Sequence, residues 1–175
     1  MKKPVVGIVV GSDSDLEVMS QAAKILNELE VENEISVLST HRAPTETSQY
    51  AQHAADRGLK VLIAGAGLAA ALPGSLASQT TLPVIGVPIK TKSMEGLDAL
   101  LSIAQMPPGV PVATVAINGA KNAGILAAEI IGLTDPKVAQ KVDQYKKKLK
   151  NEVLAKNTKL HKIGWTKYLR RFKND

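Results

Sequence analysis

Residues 61 to 89 contain no charged side chain, and this stretch limits the possible folds more than any other part of the chain. A helix that crosses a membrane needs about 20 consecutive apolar residues. Turn-forming and polar residues interrupt the stretch throughout: Gly65, Gly67, Pro73, Gly74, Ser78 to Thr81, Pro83, Gly86 and Pro88. We therefore interpret it as a buried strand, a helix of small residues and a second buried strand, which is the pattern of a parallel sheet covered on both faces.

Strand-like and helix-like segments alternate along the whole chain. Uncharged segments rich in β-branched residues predict strands over residues 4–10, 61–64, 82–87 and 110–117, and alternation of apolar and polar residues predicts a strand over residues 31–38. Apolar residues at helical spacing predict helices over residues 16–29, 45–57, 68–78, 97–104, 120–131 and 135–154, with Pro73 kinking the third helix or delaying its start. This order predicts an α/β fold of flavodoxin type: a doubly wound, five-stranded parallel sheet between two helical layers, with a C-terminal helical extension.

The size and composition favour one globular unit. The chain has 175 residues, of which 45% are hydrophobic and 22% charged, so a single core is sufficient and the composition argues against disorder. The absence of cysteine excludes disulfides, thiolate nucleophiles and iron–sulfur clusters. Residues 1–4 lack the apolar block of a secretory signal, so we expect a cytoplasmic protein.

The net charge of +6 comes from the C-terminal residues, because the positive and negative charges of residues 1–155 cancel. We accordingly divide the chain into one α/β domain, residues 1–155, and a basic tail, residues 156–175. Within the tail, four aromatic or apolar residues repeat at helical spacing: Trp165, Tyr168, Leu169 and Phe172. We predict a short helix that packs on a neighbouring subunit; contact with nucleic acid or a membrane is the weaker alternative.

The first strand is followed by a polar turn, residues 11–15. In an open parallel sheet, ligands bind at the carboxyl ends of the strands, and a helix N-terminus favours an anion. The backbone N–H groups of the turn and the hydroxyls of Ser12 and Ser14 therefore predict a phosphate site. Two carboxylates would repel a phosphate, so at least one of Asp13 and Asp15 should point elsewhere and accept hydrogen bonds from ribose hydroxyls. Residues 1–155 would then be a nucleotide-binding domain. The alternatives are a simple helix cap or, less well supported, a divalent metal site.

The second strand is followed by Ser39-Thr40-His41-Arg42-Ala43-Pro44, at the same edge of the sheet. The guanidinium of Arg42 suits bidentate phosphate binding, and the imidazole of His41 suits proton transfer near neutral pH. The alternative is that His41 is a surface loop residue. We interpret His53 and His161 as structural or solvated.

The third strand is followed by Gly65-Ala66-Gly67, which carries no reactive side chain. Such a backbone lets a flat ligand approach closely and offers N–H groups to a carboxylate. Tight packing of the next helix on the sheet is the structural alternative.

Five segments occur in the order found in one known family: Gly11-Ser12-Asp13-Ser14-Asp15, Ser39 to Pro44, Ala64-Gly65-Ala66-Gly67 with Leu72-Pro73-Gly74, Pro83 to Pro88, and Leu100 through Ala116. Together they resemble the N5-carboxyaminoimidazole ribonucleotide mutase family of de novo purine synthesis, over about residues 4 to 133. The resemblance implies a homo-octamer that moves a carboxylate from the exocyclic nitrogen to ring carbon 4 of an aminoimidazole ribonucleotide. It implies no cofactor: neither ATP, biotin nor a metal.

The resemblance also implies a role for each loop. Ser12 and Arg42 would hold the phosphate, Asp15 the ribose, and the backbone of residues 65–67 the migrating carboxylate. His41 would protonate the departing nitrogen and later remove the proton from carbon 4. The implied set of substrate-binding residues is Ser12, Ser14, Asp15, Ser39, Arg42, Gly65, Ala66, Gly67 and Leu72.

The chain departs from the family pattern in the third loop. The family commonly has Gly-Gly-Ala-Ala-His-Leu-Pro-Gly where this chain has residues 67–74, so Leu68 replaces a glycine and Ala71 replaces a histidine. Residues 117–122 are also shorter than the corresponding Gly/Ala-rich segment. These differences predict an altered rate or altered handling of the carboxylate.

Three other functions compete with the mutase. The first is the related carboxylase that uses free carbon dioxide, although the His41-Arg42 pair, rather than His-Lys, favours the mutase. The second is a non-catalytic flavin or nucleotide binder, which the scarcity of aromatic residues argues against. The third is an RNA-binding protein that acts through its basic tail.

Overall fold

The computed structural model describes residues 3–170, which form a three-layer α/β structure around one five-stranded sheet. The strand order is β2-β1-β3-β4-β5, and every neighbouring pair is parallel. The strands are β1 Val6–Val10, β2 Asn33–Val37, β3 Val61–Ala66, β4 Val84–Pro88 and β5 Ala113–Thr114. This order is the flavodoxin-type arrangement, so the predicted fold class is confirmed.

Seven helices accompany the strands in the described part of the chain. They are α1 Leu16–Glu28, α2 Pro44–Gln52, α3 Leu72–Ala77, α4 Leu97–Ala104, α5 Ala120–Gly132, α6 Pro136–Ile163 and α7 Trp165–Leu169. Helix α1 is preceded by a short 3-10 turn over Asp13–Asp15.

The central strands are buried on both faces, as the uncharged sequence predicts. All five residues of β1 and all six of β3 are buried. Because successive side chains of a strand point to opposite faces, they enter two separate cores. Ile8 and Ile63 pack in the core covered by α1 and α5, whereas Val9 and Leu62 pack in the core covered by α2, α3 and α4.

The register of the strands brings three loops to one edge of the sheet. Val10, the last residue of β1, pairs with Val37 of β2 and with Gly65 of β3. The three strands therefore end at nearly the same level. The loops that follow them, which carry the candidate chemistry, lie side by side.

The edge strand β2 is held to α2 by a cluster of three side chains, those of Glu34, Tyr50 and Arg57. Glu34 accepts a 2.8 Å hydrogen bond from the Tyr50 hydroxyl and forms an ion pair with Arg57. The Arg57 guanidinium also lies 4.5 Å from the centre of the Tyr50 ring. Burial, reinforced by the neighbouring Glu34 carboxylate, raises the pKa of Tyr50, so this hydroxyl stays protonated and keeps donating.

Several elements are shorter than the sequence pattern predicts. Helix α2 ends at Gln52 instead of residue 57, because turns follow it up to Gly58, which has a φ of 99°. Helix α3 begins at Leu72 instead of residue 68, with Leu68 at a φ of 55° and Pro73 in the first turn, so the predicted delay of its start is confirmed. Strand β5 covers only Ala113–Thr114 of the predicted 110–117. Pro111, which has no N–H group, lies in the predicted segment that does not form a strand. Beyond β5, the chain still contacts β4 through isolated hydrogen bonds, such as the one that the Val115 N–H donates to the Gly86 carbonyl.

The C-terminal helix is longer than predicted. The Asp135 side chain caps α6 by accepting hydrogen bonds from the N–H groups of Lys137 and Val138, at 2.9 and 3.3 Å. The helix then runs to Ile163 instead of ending near residue 154, so the predicted boundary at 155 falls inside a continuous helix. Helix α7 contains Trp165, Tyr168 and Leu169 of the predicted tail helix, whereas Phe172 lies outside the described residues.

Candidate active site

A cleft of about 500 Å³ lies at the carboxyl edge of the sheet. Four loops contribute its lining, namely those that follow β1, β2, β3 and β4. The lining residues are Gly11, Ser12, Ser14, Asp15, Ser39, Thr40, His41, Arg42, Ala66, Gly67, Leu68, Ala69, Ala71, Leu72 and Thr91. The cleft brings together every residue predicted for the site with the exception of Gly65.

The first turn is organised by hydroxyl groups. The Ser12 side chain caps the 3-10 turn by accepting a 3.3 Å hydrogen bond from the Ser14 N–H, and the Ser14 hydroxyl donates to the Ser12 hydroxyl at 2.9 Å. Asp13 accepts from the Ser14 N–H at 3.0 Å, is exposed and does not line the cleft. The turn thus separates its two carboxylates, with Asp15 alone facing the cleft. The predicted helix cap is therefore present, and the same residues line the cleft.

The Asp15 carboxyl lies in a mixed electrostatic environment. Partial burial raises its pKa above the ordinary value, and the neighbouring Asp13 adds to that effect. The Ser14 hydroxyl and the Arg42 guanidinium act in the opposite direction without cancelling it. A partly desolvated carboxylate of this kind is well suited to accept hydrogen bonds from the hydroxyls of a ligand.

Arg42 connects the first two loops. Its Nη2 atom donates a 2.8 Å hydrogen bond to the Gly11 carbonyl oxygen, and its Nε atom donates a 3.3 Å bond to the Ser39 hydroxyl. The second loop also closes on itself, because the Arg42 and Ala43 N–H groups both donate to the Ser39 carbonyl, at 3.2 and 2.7 Å. The guanidinium is therefore fixed beside the first turn, where one anion could contact both the guanidinium and the N–H groups of the turn.

His41 lines the cleft with an exposed imidazole. Among residues 3–170, no side chain or backbone group forms a hydrogen bond with this ring, so both nitrogens are available to a ligand. His53 differs, since its Nδ1 atom lies 2.8 Å from the Gln49 carbonyl oxygen within α2. His161 is exposed in the last turn of α6, away from the cleft.

The third loop forms the apolar wall of the cleft. Gly65 lies behind this wall within β3, where an added Cβ would approach the Met19 sulfur to 2.5 Å, so close packing on α1 explains this glycine. Gly67 lines the cleft and packs against the next loop, since its Cβ would lie 2.8 Å from Thr91 Cγ2. Ala71 and Leu68 present methyl and isobutyl groups to the cleft.

Two polar lining residues, Thr40 and Thr91, received no role from the sequence. Thr91 lies in the loop after β4, which the topology places at the same edge of the sheet, but no residue of that loop was assigned to the site. Thr40 lies inside the His41 loop, but its hydrogen bond to Ser75 joins residues 35 apart. No local sequence pattern reveals such a contact.

The described residues contain neither a cluster of metal-ligating side chains nor a helix able to span a membrane. Among residues 3–170 there is no group of three or more histidine, aspartate or glutamate side chains arranged to hold a metal ion. In the same residues, no helix combines the length and the apolar character needed to cross a bilayer.

Comparison with known proteins agrees with this geometry. The family model of AIR carboxylase matches residues 5–152. The N5-carboxyaminoimidazole ribonucleotide mutase of Thermotoga maritima is 59% identical over 95% of this chain and 97% of its own length. The enzyme of the same name from Pyrococcus horikoshii is 55% identical over 96% of this chain and 95% of its own.

Two further relatives extend the comparison. The phosphoribosylaminoimidazole carboxylase of Saccharomyces cerevisiae is 51% identical over 97% of this chain, which corresponds to 30% of that longer protein. The crystal structure of Treponema denticola PurE superposes with a TM-score of 0.82 at 30% identity, over 90% of this chain and 98% of that one. The resemblance predicted from the sequence motifs is confirmed: this chain belongs to the AIR carboxylase family.

Proposed function

We propose that this chain is an N5-carboxyaminoimidazole ribonucleotide mutase that produces the 4-carboxyaminoimidazole ribonucleotide by moving a carboxylate within the substrate. The observation that carries the proposal is the position of the His41 imidazole, which has no hydrogen-bond partner among residues 3–170 and lines a cleft between a turn rich in hydroxyl groups and an apolar wall. The Thermotoga and Pyrococcus relatives of nearly equal length carry the mutase name.

The phosphate of the substrate would bind between the first two loops. Ser12 supplies a hydroxyl at the N-terminal side of α1, and Arg42 supplies its remaining guanidinium N–H groups. A helix N-terminus and an arginine together favour a dianion. Ser14 and Ser39 line the same region and would complete the hydrogen bonding, while Asp15 would accept from the ribose hydroxyls.

The base of the substrate would extend from this anchor toward His41 and the third loop. Protonated His41 would donate its proton to the exocyclic nitrogen as the nitrogen–carboxylate bond breaks and carbon dioxide leaves. Ring carbon 4 would then attack the carbon dioxide, and His41 would take back a proton from that carbon. His41 donates one proton and later accepts one, so the net reaction is an isomerisation that needs no co-reactant.

Free carbon dioxide must not escape between the two half-reactions. The third loop supports this requirement, because Gly67, Ala71 and Leu72 line the cleft without any polar side chain. Backbone N–H groups near Ala66 and Gly67 would orient the carboxylate before it leaves and after it is recaptured. When carbon dioxide and ring carbon 4 are held in one cleft, their recombination is a unimolecular step instead of a bimolecular encounter in solution.

A carboxylase that uses free carbon dioxide is the second candidate, because the yeast relatives carry that name. The His41-Arg42 pair favours the mutase. The experiment is to supply the N5-carboxylated ribonucleotide and, separately, the uncarboxylated ribonucleotide with bicarbonate. The proposal expects rapid turnover of the first substrate. Turnover of the second alone would favour the carboxylase, and turnover of neither would favour a non-catalytic nucleotide-binding protein.

We further propose that the chain assembles as a homo-octamer, with the basic tail packed on a neighbouring subunit. Exposed apolar side chains support an assembly: Leu97, Leu101, Leu149, Val153, Leu154 and Trp165. Light scattering during size exclusion should give the mass of eight chains, and a mass of one or two chains would contradict the proposal.

A cytoplasmic location and a function without nucleic acid both stay predictions from the sequence. A mobility shift with RNA would test the second.

A further inference from the structure

Thr40 immediately precedes His41 and connects its loop to the opposite wall of the cleft. The Thr40 hydroxyl donates a 2.7 Å hydrogen bond to the Ser75 hydroxyl, and both side chains are partly buried. Ser75 belongs to α3, the helix that begins at the cleft residue Leu72. The bond therefore spans the two walls between which the base of a substrate would lie.

His41 is consequently flanked by two tethers. On one side, Thr40 is bound to α3; on the other, Arg42 is bound to the Gly11 carbonyl of the first turn. The imidazole itself has no hydrogen-bond partner among residues 3–170. Its position is thus set by its neighbours along the chain and not by a bond of its own.

Ser75 is a well-fixed anchor for this contact. Its N–H donates to the Ala71 carbonyl at 2.9 Å, so its backbone is held in the first turn of α3 next to the cleft residue Ala71. The residue therefore moves with the segment that forms the apolar wall. A displacement of α3 or of the His41 loop would break the Thr40–Ser75 bond.

We infer that Thr40 and Ser75 are a positioning pair that fixes the separation between the His41 imidazole and the wall formed by residues 67–72. Neither residue touches the reacting atoms in this account. The pair acts on proton transfer because the rate depends on the placement of a catalytic group to within about 1 Å. This inference rests on the proposed function, since it concerns the step that His41 performs.

The pair also explains a choice of residue types. Polar side chains that are withdrawn from water need a partner, and each hydroxyl here supplies the other's. In the described part of the chain no buried side-chain nitrogen or oxygen is left without a partner. Replacing either residue alone leaves the other hydroxyl unpaired, whereas replacing both removes the need for the bond. The two single changes and the double change therefore have a diagnostic pattern.

The test compares Thr40→Val, Ser75→Ala, the double variant and Thr40→Ser by steady-state kinetics on the N5-carboxylated ribonucleotide. Thr40→Val keeps the shape of threonine and removes only the hydroxyl. We expect kcat to fall about tenfold in each single variant with KM changed less than about twofold. The double variant should be no slower than the slower single one, and Thr40→Ser, which keeps the hydroxyl, should retain most of kcat.

Two variants serve as matched controls. Ser78→Ala removes a hydroxyl near the end of the same helix, one that bonds only to the Ser75 carbonyl. Gln79→Ala removes the bonds from Ser48 and Gln52, which join α2 to the end of α3 away from the cleft. Both should keep the wild-type kcat, which separates loss of position from a general loosening of α3.

The outcomes distinguish this inference from the function on which it rests. If the wild-type protein does not turn over the substrate, the proposed function fails. If the wild-type protein is active and Thr40→Val and Ser75→Ala keep its kcat, or lose kcat additively in the double variant, the positioning pair is wrong. A rise in KM alone would also overturn it. Circular dichroism and thermal unfolding of each variant show that the compared proteins are folded.

Discussion

The Arg42 guanidinium donates a 2.8 Å hydrogen bond to the carbonyl oxygen of Gly11, a residue of a different loop. This bond joins the loop that carries His41 to the turn that precedes α1, with no ligand between them. Arg42 is therefore both part of the scaffold and a candidate ligand for a phosphate. Its two roles use different N–H groups of one planar fork.

Arg42→Lys should weaken substrate binding more than it slows the chemical step. A lysine keeps the charge but cannot bond to Gly11, Ser39 and a phosphate together. Losing charge-assisted bonds of about 1.5–3 kcal/mol corresponds to a KM raised about 10- to 100-fold. Because the bond to Gly11 also tethers the His41 loop, we expect kcat to fall as well, by up to about tenfold. Arg57→Lys, in the cluster beside Tyr50, is the matched control and should keep the wild-type KM. A large fall in kcat with an unchanged KM would contradict the binding role.

Asp15→Asn should remove the loss of folding stability that ionisation of the Asp15 carboxyl causes as the pH rises. Burial raises the Asp15 pKa in the folded protein, so the folded state binds its proton more tightly than the unfolded state. Wild-type stability therefore falls, relative to Asp15→Asn, as the pH rises from the unfolded value of 3.8 through the folded pKa. Urea unfolding of both proteins between pH 3.5 and 7, on the order of seven points, checks this sign. A wild-type protein whose free energy of unfolding increases relative to that of Asp15→Asn as the pH rises would contradict this prediction.

The same substitution should damage substrate binding. An amide accepts weaker hydrogen bonds from ribose hydroxyls than a carboxylate does. We expect KM to rise about tenfold, so the variant would be more stable at neutral pH and less competent. Glu17→Gln, an exposed acidic residue in the first turn of α1, is the control for the loss of a charge near that helix end.

Gly65→Ala should destabilise the protein through packing alone. The new Cβ would meet the buried Met19 side chain, with its sulfur at 2.5 Å, and overpacking of this kind costs about 1–3 kcal/mol. Gly11→Ala is the control, because a Cβ at Gly11 meets nothing within 4 Å. Chemical denaturation should show a lower midpoint for Gly65→Ala only. Equal midpoints would mean that Met19 rearranges freely.

Leu68 should tolerate glycine better than valine. Its φ of 55° is unfavourable for a side chain by about 1–2 kcal/mol, and the side chain is 54% exposed, so little buried contact is lost on truncation. We expect Leu68→Gly to change the free energy of unfolding by less than about 1 kcal/mol, because glycine's backbone entropy offsets the relieved strain. Leu68→Val, which is β-branched, should lose about 1 kcal/mol or more. A valine variant as stable as the glycine variant would show that Leu68 is unstrained.

The sheet could be predicted from the sequence because its central strands are buried on both faces. Uncharged residues 61–66 and 84–88 have few alternatives to a covered parallel strand, and their order along the chain specifies the neighbours. Strand β5 was predicted too long because its apolar residues lie partly at the surface and Pro111 interrupts the pairing. The late start of α3 was one of the two outcomes predicted from Pro73, whereas the positive φ of Leu68 that accompanies it has no signal in the sequence.

The site was predictable to the extent that strand ends define it. His41, Arg42 and Asp15 follow strands directly, so topology alone brings them to one cleft. Gly65 was assigned to the ligand because a glycine that packs against Met19 and one that faces a cleft look alike in a sequence. The Thr40–Ser75 bond depends on how two loops approach each other, and that distance is a property of the packed structure.

His41→Asn tests the central claim most directly. The variant keeps a polar side chain of similar size and loses the group that exchanges a proton. With substrate binding followed by calorimetry and turnover followed by loss of the N5-carboxylated ribonucleotide, we predict a Kd within about threefold of wild type and a kcat reduced at least about 10³-fold. His53→Asn, at the residue that follows α2, should match wild type in both. A His41→Asn variant with ordinary turnover would contradict the claim that this imidazole carries the proton.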